Sequence, residues 1–217
     1  MKPLVIFDCD GVLTENDSSW RVMHEYFGSR DNTYFARLYE KGIITYLDWM
    51  KIDIALMIHS FGSPIKRRHV EEAFSKVKLR SEAYKAVQAL LSEGFEVAVV
   101  SSGVNILVER VCSELGVRDC LYNDLIFVED ELIPGGIARV PLKEKWVVIK
   151  ELAGSKGYDM SEVAYVGDSK WDIMVFEHVG IPIAVRPCGE ACDYAKYIVD
   201  NLEEITRILV EDLRKNQ

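Results

Sequence analysis

The sequence contains few of the residues on which several classes of site depend. Four histidines occur in 217 residues, and none of them has metal-ligand spacing or fits a catalytic pattern. The five cysteines are scattered and odd in number, which predicts reduced buried thiols rather than a disulfide framework. They are Cys9, Cys112, Cys120, Cys188 and Cys192. Cys188 and Cys192 could pair or bind a metal, but no further His or Cys motif lies near them.

Excess positive charge and long apolar runs are also missing. The net charge of −9 argues against a general affinity for nucleic acid or acidic membranes. No apolar run could span a bilayer, and no signal peptide is visible after Lys2-Pro3. Without a Gly-x-x-x-x-Gly-Lys-Ser/Thr loop, an NTP-driven kinase is not indicated. We therefore expect a cytoplasmic protein with a small-molecule partner and no nucleic-acid or membrane partner, and the oligomeric state stays open.

Short apolar, β-rich runs alternate with helical patterns along most of the chain. The first run is Leu4–Phe7, and residues 15–80 then show only helical spacing of apolar residues. After residue 80, strand-like and helical segments alternate, with a predicted hairpin that turns near Glu129-Asp130. This alternation predicts an α/β fold with a doubly wound parallel sheet. A helical block is inserted after the first strand.

Polar side chains stand where three of the strand-like runs end. Asp8 and Asp10 follow the first run, Ser101-Ser102 closes a second, and Gly167-Asp168 closes a third. In open α/β sheets, ligands bind beyond the carboxyl ends of the strands, near the point where the strand order reverses. All three sets are therefore expected to converge on one crevice.

The carboxylates expected at this crevice indicate that the site binds a cation and that one of them acts as a nucleophile. Asp168 and Asp172 are spaced i, i+4, so a helix beginning there would place both on one side. Neighbouring carboxylates repel each other unless a cation lies between them, and hard oxygen ligands suit Mg²⁺. Ser101 and the glycine-containing turn offer donors for a phosphoryl group. Because no Ser-His-Asp set is evident, a carboxylate is the available nucleophile.

Three motifs in order resemble those of the haloacid dehalogenase (HAD) superfamily. "DCDGVLT" resembles its first motif, "VVSSG" its second and "GDSKWD" its fourth. The helical block resembles the cap of the subfamily that includes phosphoserine phosphatases, and the resemblance covers essentially the whole chain. It implies a Rossmann-like core domain of residues 1–14 and 81–217, with a small helical cap domain of residues 15–80.

The resemblance also implies a mechanism. Asp8 would attack phosphorus to form an aspartyl phosphate, and Asp10 would act as general acid and then as general base. Mg²⁺ would be held by the Asp8 carboxylate, the Asp10 backbone carbonyl and Asp168. Asp172 would help to hold that arrangement, directly or through other ligands.

The resemblance places the phosphate contacts on the second and third motifs. Ser101, the backbone near Ser102 and a lysine would bind the phosphate oxygens. The spacing in phosphoserine phosphatases best matches Lys145, with Lys143 as the alternative.

Substrate specificity is where the sequence departs from the subfamily. Phosphoserine phosphatases use an acid after the first motif, which Asp17 could supply, and a cap arginine. Asp53 falls where that arginine is expected, and it cannot bind a carboxylate as arginine does. An aspartate-rich cap predicts a neutral or cationic leaving group and argues against phosphoserine. Trp20, Tyr46 and Trp49 are expected in the interior of the cap.

The resulting prediction is a Mg²⁺-dependent HAD-type phosphatase that hydrolyses a small phosphorylated metabolite other than phosphoserine. A phosphomutase or phosphotransferase would use the same aspartates. A non-catalytic phosphate-binding module is a further alternative, but it would have no need of both Asp8 and Asp10.

Overall fold

A seven-stranded sheet forms the centre of the protein in a computed structural model that describes residues 2–30 and 33–215. The strand order is β4-β3-β2-β1-β5-β6-β7, and neighbouring strands are parallel except β3 and β4. The strands are β1 (Leu4–Phe7), β2 (Glu96–Val104), β3 (Asp119–Val128), β4 (Glu131–Ile137), β5 (Val163–Gly167), β6 (Ile181–Val185) and β7 (Tyr197–Val199). The predicted α/β fold with a mostly parallel sheet is confirmed.

The central strand shows why these residues form a covered parallel sheet. All four residues of β1 are fully buried. Val5 and Phe7 pack into the apolar core on one face, whereas Leu4 and Ile6 pack into the core on the other. Successive strand residues point to opposite faces. An uninterrupted apolar run is therefore what a strand covered by helices on both sides requires.

Helices cover the sheet and form the segment that follows β1. Among the described residues, no helix is both long and apolar enough to cross a membrane. The helices are α1 (Ser19–Tyr26), α2 (Thr33–Glu40), α3 (Tyr46–Phe61), α4 (Arg67–Phe74), α5 (Ala83–Ser92), α6 (Asn105–Leu115), α7 (Lys145–Ser155), α8 (Ile173–Phe176) and α9 (Glu204–Lys215).

The segment from α1 to α4 leaves and re-enters the sheet domain at one place. Thr14 and Leu79 form an antiparallel bridge, so the connection into this segment and the connection out of it run side by side. This arrangement is consistent with the division into residues 15–80 and the remainder, which stays a prediction.

Helix α3 has well-defined ends, which fix the side chains it carries. The Thr45 hydroxyl accepts a hydrogen bond from the Asp48 amide, and the Asp48 carboxylate accepts one from the Thr45 amide. Such reciprocal capping satisfies two amides that would otherwise lack partners. Gly62, at φ 72°, closes the helix in the left-handed conformation.

The hairpin prediction agrees with the structure, but the cysteine prediction is wrong. Strands β3 and β4 pair antiparallel around Glu129 and Asp130, which both have positive φ. Two disulfides join residues expected to be free thiols: Cys112–Cys120 and Cys188–Cys192. Short connections bring the paired Cα atoms to 6.7 and 5.3 Å, a separation that a disulfide can bridge. Only the small sequence separations, eight and four residues, could have indicated this. Cys9 is free and buried.

Candidate active site

The ends of β1 and β5 and the Ser101–Gly103 part of β2 meet at one cavity of about 360 Å³. Pairing of β2 with β3 is irregular between Val100 and Val104, which lets this segment depart from the regular ladder. Asp172 lies behind the cavity wall and is fully buried. The other sequence-predicted site residues line the cavity: Asp8, Asp10, Asp17, Asp53, Ser101, Ser102, Lys145 and Asp168.

Asp8 is held directly after β1 with both carboxylate oxygens engaged. Its Oδ1 accepts a hydrogen bond from the Cys9 amide at 2.7 Å, and its Oδ2 accepts one from Lys145 Nζ at 2.6 Å. Burial raises the pKa of Asp8 to about 6, although the Lys145 charge acts in the opposite direction. Cys9 lies in the apolar core on the far side of the backbone, as its position between two acids predicts.

Asp10 faces the start of α1 rather than the other acids. Its Oδ1 accepts from Asn16 Nδ2 and its Oδ2 from the Ser19 amide, both at 2.8 Å. Burial raises the pKa of Asp10, and these hydrogen bonds oppose the shift. A carboxyl group with a raised pKa holds its proton to higher pH, which is the property of a general acid. Asn16 and Ser19 were not singled out from the sequence, because nothing in their local pattern marks them.

Lys145 is the first residue of α7 and is almost fully buried. Its Nζ donates to Asp8 Oδ2 at 2.6 Å, to Asp172 Oδ1 at 2.8 Å and to the Tyr165 hydroxyl at 3.2 Å. Burial favours the neutral amine, but the charges of Asp172 and Asp8 outweigh it and raise the pKa of Lys145. Lys143 does not reach this cluster. Its Nζ donates instead to the backbone carbonyls of Tyr39 and Glu40.

Three carboxylates form a group that could hold a metal ion. Asp8, Asp168 and Asp172 each offer an oxygen, and these atoms lie within 4.8 Å of one another. Burial and the charges of Asp172 and Asp8 raise the pKa of Asp168 to about 8. Concentrated negative charge among hard oxygen ligands fits a divalent cation such as Mg²⁺. The carboxylate of Asp10 is outside this group, and the backbone carbonyl of Asp10 stays the predicted ligand.

Asp172 has its carboxylate oxygens committed to protein donors. Oδ1 accepts from Lys145 and from the Tyr165 hydroxyl at 2.6 Å. Oδ2 accepts from the amides of Asp168 and Ser169 and from the Ser169 hydroxyl, each at 3.1 Å. Burial opposes ionisation, but Lys145 and these hydrogen bonds lower the pKa of Asp172. The geometry therefore favours a role in positioning Lys145 and the Asp168 loop.

A 3₁₀ turn at Lys170–Asp172 precedes α8, so the α-helix begins after Asp172 rather than at Asp168. The Asp172 side chain folds back on the amides of the preceding turn. Tyr165 is a site residue that the sequence analysis missed. A tyrosine inside an aliphatic, fully buried strand was the available signal, because its hydroxyl needs a buried partner.

Two glycines allow the motifs to approach one another. Gly11 has φ +75°, and a Cβ there would lie 2.0 Å from Asp168 Oδ2. A Cβ on Gly103 would lie 2.8 Å from Ser19 Oγ and 3.0 Å from Asp10 Oδ2. Side chains at either position would therefore collide with the acids of the site.

The Ser101–Gly103 segment presents hydroxyls to the cavity and is held from behind. Ser101 Oγ accepts from the Gly103 amide at 3.1 Å. The Ser102 hydroxyl is buried and has no hydrogen-bond partner within the described part of the chain. The Ser102 carbonyl accepts from Tyr46 Oη and Asn123 Nδ2 at 2.8 Å and from Trp20 Nε1 at 3.3 Å. These contacts fix the Ser101–Gly103 segment, whose Ser102 hydroxyl can bind an oxyanion.

Trp20, Tyr46 and Trp49 pack in one apolar cluster with Tyr39 and Met50, as expected for the interior of the helical segment. All three also line the cavity, together with the carboxylates of the sheet domain. The sequence missed this because helical spacing does not reveal which face of a helix covers a site on another element. Asp17 and Asp53, the predicted specificity residues, line the same cavity.

The fold, the three strand-end motifs and the buried Lys145 define an HAD-like enzyme site, and comparison with known proteins agrees. The match to the haloacid dehalogenase-like hydrolases spans residues 2–180, and the chain belongs to that family. A phosphoserine phosphatase from Methanocaldococcus jannaschii is 26% identical over 185 residues, which cover 84% of this chain and 85% of the relative. The prediction of a phosphatase enzyme resembling that subfamily is confirmed.

Solved structures show the same fold. A substrate-bound phosphoserine phosphatase complex has a TM-score of 0.80 at 22% identity and covers 96% of this chain and 98% of its own. A phospho-aspartyl intermediate analogue of phosphoserine phosphatase has a TM-score of 0.79 at 22% identity, with 95% and 98% coverage. At this level of identity the likeness is one of fold.

Proposed function

We propose that the protein is a magnesium-dependent phosphomonoester hydrolase that forms an aspartyl phosphate on Asp8. The observation that carries this proposal is the position of Asp8. It lines the cavity, pairs with Lys145 at 2.6 Å, and lies in one group with Asp168 and Asp172. A solved relative described as a phospho-aspartyl intermediate analogue supports the same chemistry. The cytoplasmic location expected from the acidic charge stays a prediction.

In the first half of the reaction, an Asp8 oxygen attacks phosphorus and the bond from phosphorus to the alcohol oxygen breaks. Asp10 gives its proton to that oxygen, and the alcohol leaves. In the second half, Asp10 takes a proton from water, whose oxygen attacks phosphorus and breaks the bond to Asp8. The products are an alcohol and inorganic phosphate, and both aspartates return to their starting states.

The remaining residues bind and orient the phosphoryl group. Ser101, Ser102 and Lys145 contribute donors for its oxygens, and the Lys145 charge favours the ionised, nucleophilic form of Asp8. Asp8, the Asp10 carbonyl and Asp168 would hold the metal. When bound, Mg²⁺ supplies positive charge that stabilises the phosphoryl oxygens in the transition state.

The substrate is a small phosphorylated metabolite other than phosphoserine. Its alcohol portion would lie against α1 and α3, which carry carboxylates and aromatic rings into the cavity. The helical segment of residues 15–80 acts as a cap that excludes water from the reaction.

Phosphate release from p-nitrophenyl phosphate, with Mg²⁺ and with chelator, tests the function. We expect Mg²⁺-dependent release in the parent and its loss in Asp8→Asn, with a phosphoryl adduct on the acid-quenched parent by mass spectrometry. Asp130→Asn at the exposed hairpin tip is the matched control and should retain full activity.

Undiminished release in Asp8→Asn would refute the assignment of the nucleophile. A phosphomutase or phosphotransferase would instead be indicated by transfer of label to an acceptor alcohol in place of release into water.

A further inference from the structure

The cavity extends beyond the phosphoryl-binding residues to an aromatic wall. Four aromatic rings line the cavity, and we call them the aromatic wall: Trp20 of α1, Tyr46 and Trp49 of α3, and Trp171 after β5. Tyr39 packs against three of them, with ring centroids 5.5 Å from Trp49, 5.6 Å from Tyr46 and 6.2 Å from Trp171. This wall comes from both the helical segment and the sheet domain.

Hydrogen bonds hold two of the four rings of the aromatic wall in place. Trp20 Nε1 and the Tyr46 hydroxyl both donate to the Ser102 carbonyl, next to the phosphate-binding hydroxyls. Tyr46 and Trp49 lie with ring centroids 6.0 Å apart and planes at 77°. Preorganised rings at steep mutual angles are the arrangement that surrounds a cationic head group, because each ring face is electrostatically negative.

The charge near the aromatic wall also favours a positively charged group on the substrate. Asp53 contributes a carboxylate of which only 8% of the side chain is exposed, with Oδ2 3.5 Å from His24 Nε2. Asp17 also lines the cavity, but its carboxylate is paired with the Arg21 guanidinium. A negatively charged alcohol portion next to Asp53 would therefore meet a carboxylate, which repels it.

The cations that line the cavity are already paired with acids. The Arg21 guanidinium pairs with Asp17 across one helical turn, and Lys170 Nζ lies 2.7 Å from Glu40 Oε1. Lys145 is bound between Asp8 and Asp172. A substrate carboxylate would compete with Asp17 for Arg21. A substrate cation next to Asp53 would share that carboxylate with His24 and would leave these three cations with their acids.

We propose that the substrate is the phosphomonoester of an amino alcohol, with its ammonium group, primary or quaternary, seated between the aromatic wall and Asp53. This inference rests on the proposed phosphatase function and specifies its substrate class. Hydrolysis breaks the bond from phosphorus to the alcohol oxygen, with water as the only co-reactant, and releases the amino alcohol and inorganic phosphate. Trp49 and Asp53 are specificity residues in this reaction and act on the part of the substrate that does not react.

A matched set of esters tests the substrate class. O-Phosphoethanolamine is phosphoserine without its carboxylate, phosphocholine adds three methyl groups to the amine, and propyl phosphate is a neutral isostere. We expect kcat/KM for at least one of the two cationic esters to exceed that for O-phosphoserine and propyl phosphate by at least about tenfold.

Two variants locate the selectivity. In Trp49→Leu and in Asp53→Asn, the ratio of kcat/KM for the better cationic ester to that for propyl phosphate should fall by about tenfold. The exposed Tyr84→Leu and Asp130→Asn are matched controls and should leave the ratio unchanged. The ratio is independent of how much active enzyme each preparation contains, so partial misfolding of a variant does not imitate the effect.

Binding to Asp8→Asn, measured by calorimetry with Mg²⁺ present, separates failure of this inference from failure of the proposed function. Tighter binding of the cationic esters than of propyl phosphate supports the inference even if no ester is hydrolysed. Equal binding and turnover of charged and neutral esters would overturn it and leave the phosphatase intact. A preference for O-phosphoserine would also overturn it.

Discussion

Replacement of Lys145 by methionine should destabilise the protein strongly. Methionine keeps most of the volume of the lysine stem, so the change removes the charge without opening a large cavity. Asp8 and Asp172 would then remain buried without the cation that lies 2.6 and 2.8 Å away. Breaking a buried ion pair by removing one partner costs about 3–5 kcal/mol. In a chain of this size the Tm should fall by on the order of 10 °C.

The loss of folding stability in Lys145→Met should grow as the pH rises. In the parent, Lys145 lowers the pKa of Asp172 below the ordinary value of 3.8. That interaction therefore stabilises the fold above about pH 3.8 and is lost as the pH falls through the folded-state pKa. In Lys145→Met the contribution disappears, and the pKa of Asp8, already raised to about 6 by burial, rises further. The free-energy difference between parent and variant should therefore already exist near pH 4 and increase toward pH 8, where the variant must keep buried carboxylates ionised without the lysine or protonate them.

Urea denaturation at pH 4, 6 and 8 in the presence of chelator measures this difference. Lys143→Met is the matched control, because Lys143 Nζ donates to the carbonyls of Tyr39 and Glu40 and not to a carboxylate of the site. It should cost about 0.5–1.5 kcal/mol for each bond lost, with little dependence on pH. A Lys145→Met protein within about 1 kcal/mol of the parent at pH 8 would refute the reasoning, as would a difference that shrinks with rising pH.

Three further predictions concern the same site. Tyr46→Phe removes one of three donors to the Ser102 carbonyl, so the free energy of unfolding in urea should fall by only about 0.5–1.5 kcal/mol; no change would mean that the contact contributes nothing. Gly11→Ala places a Cβ 2.0 Å from Asp168 Oδ2 at φ +75° and should lower kcat/KM by on the order of 100-fold, with normal activity as the contrary result. Mg²⁺ at 100 times its Kd should stabilise the parent by about 2.7 kcal/mol in calorimetry; this gain should vanish in Asp168→Asn, and an equal gain in both would exclude Asp168 as a ligand.

The sequence determined the sheet domain because strand and helix leave periodic signals. The fully apolar Leu4–Phe7 run required a strand covered on both faces. The glycines and acids at the ends of the apolar runs indicated where the strands end. In parallel sheets, ligands bind beyond the carboxyl ends of the strands. Asp8, Asp10, Ser101 and Asp168 could therefore be placed at one crevice before any contact was known, whereas Lys145 was predicted only from the family resemblance.

The sequence could not determine contacts between elements that periodicity does not relate. Asn16, Ser19 and Tyr165 gained roles in the site only when tertiary folding brought their donors to buried carboxylates. The two disulfides likewise depend on how chain connections bring the cysteine Cα atoms together.

The aromatic wall illustrates the limit most clearly. Helical spacing marks Trp20 and Trp49 as residues of an apolar face, and it says nothing about what that face covers. The tertiary structure decided that this face lines the same cavity as Asp8, Asp10 and Asp168. The carboxylates at the strand ends were therefore predictable from local sequence. The part of the cavity proposed to bind the alcohol portion of the substrate was set by the packing of α1 and α3 against the sheet domain, which depends on the whole chain.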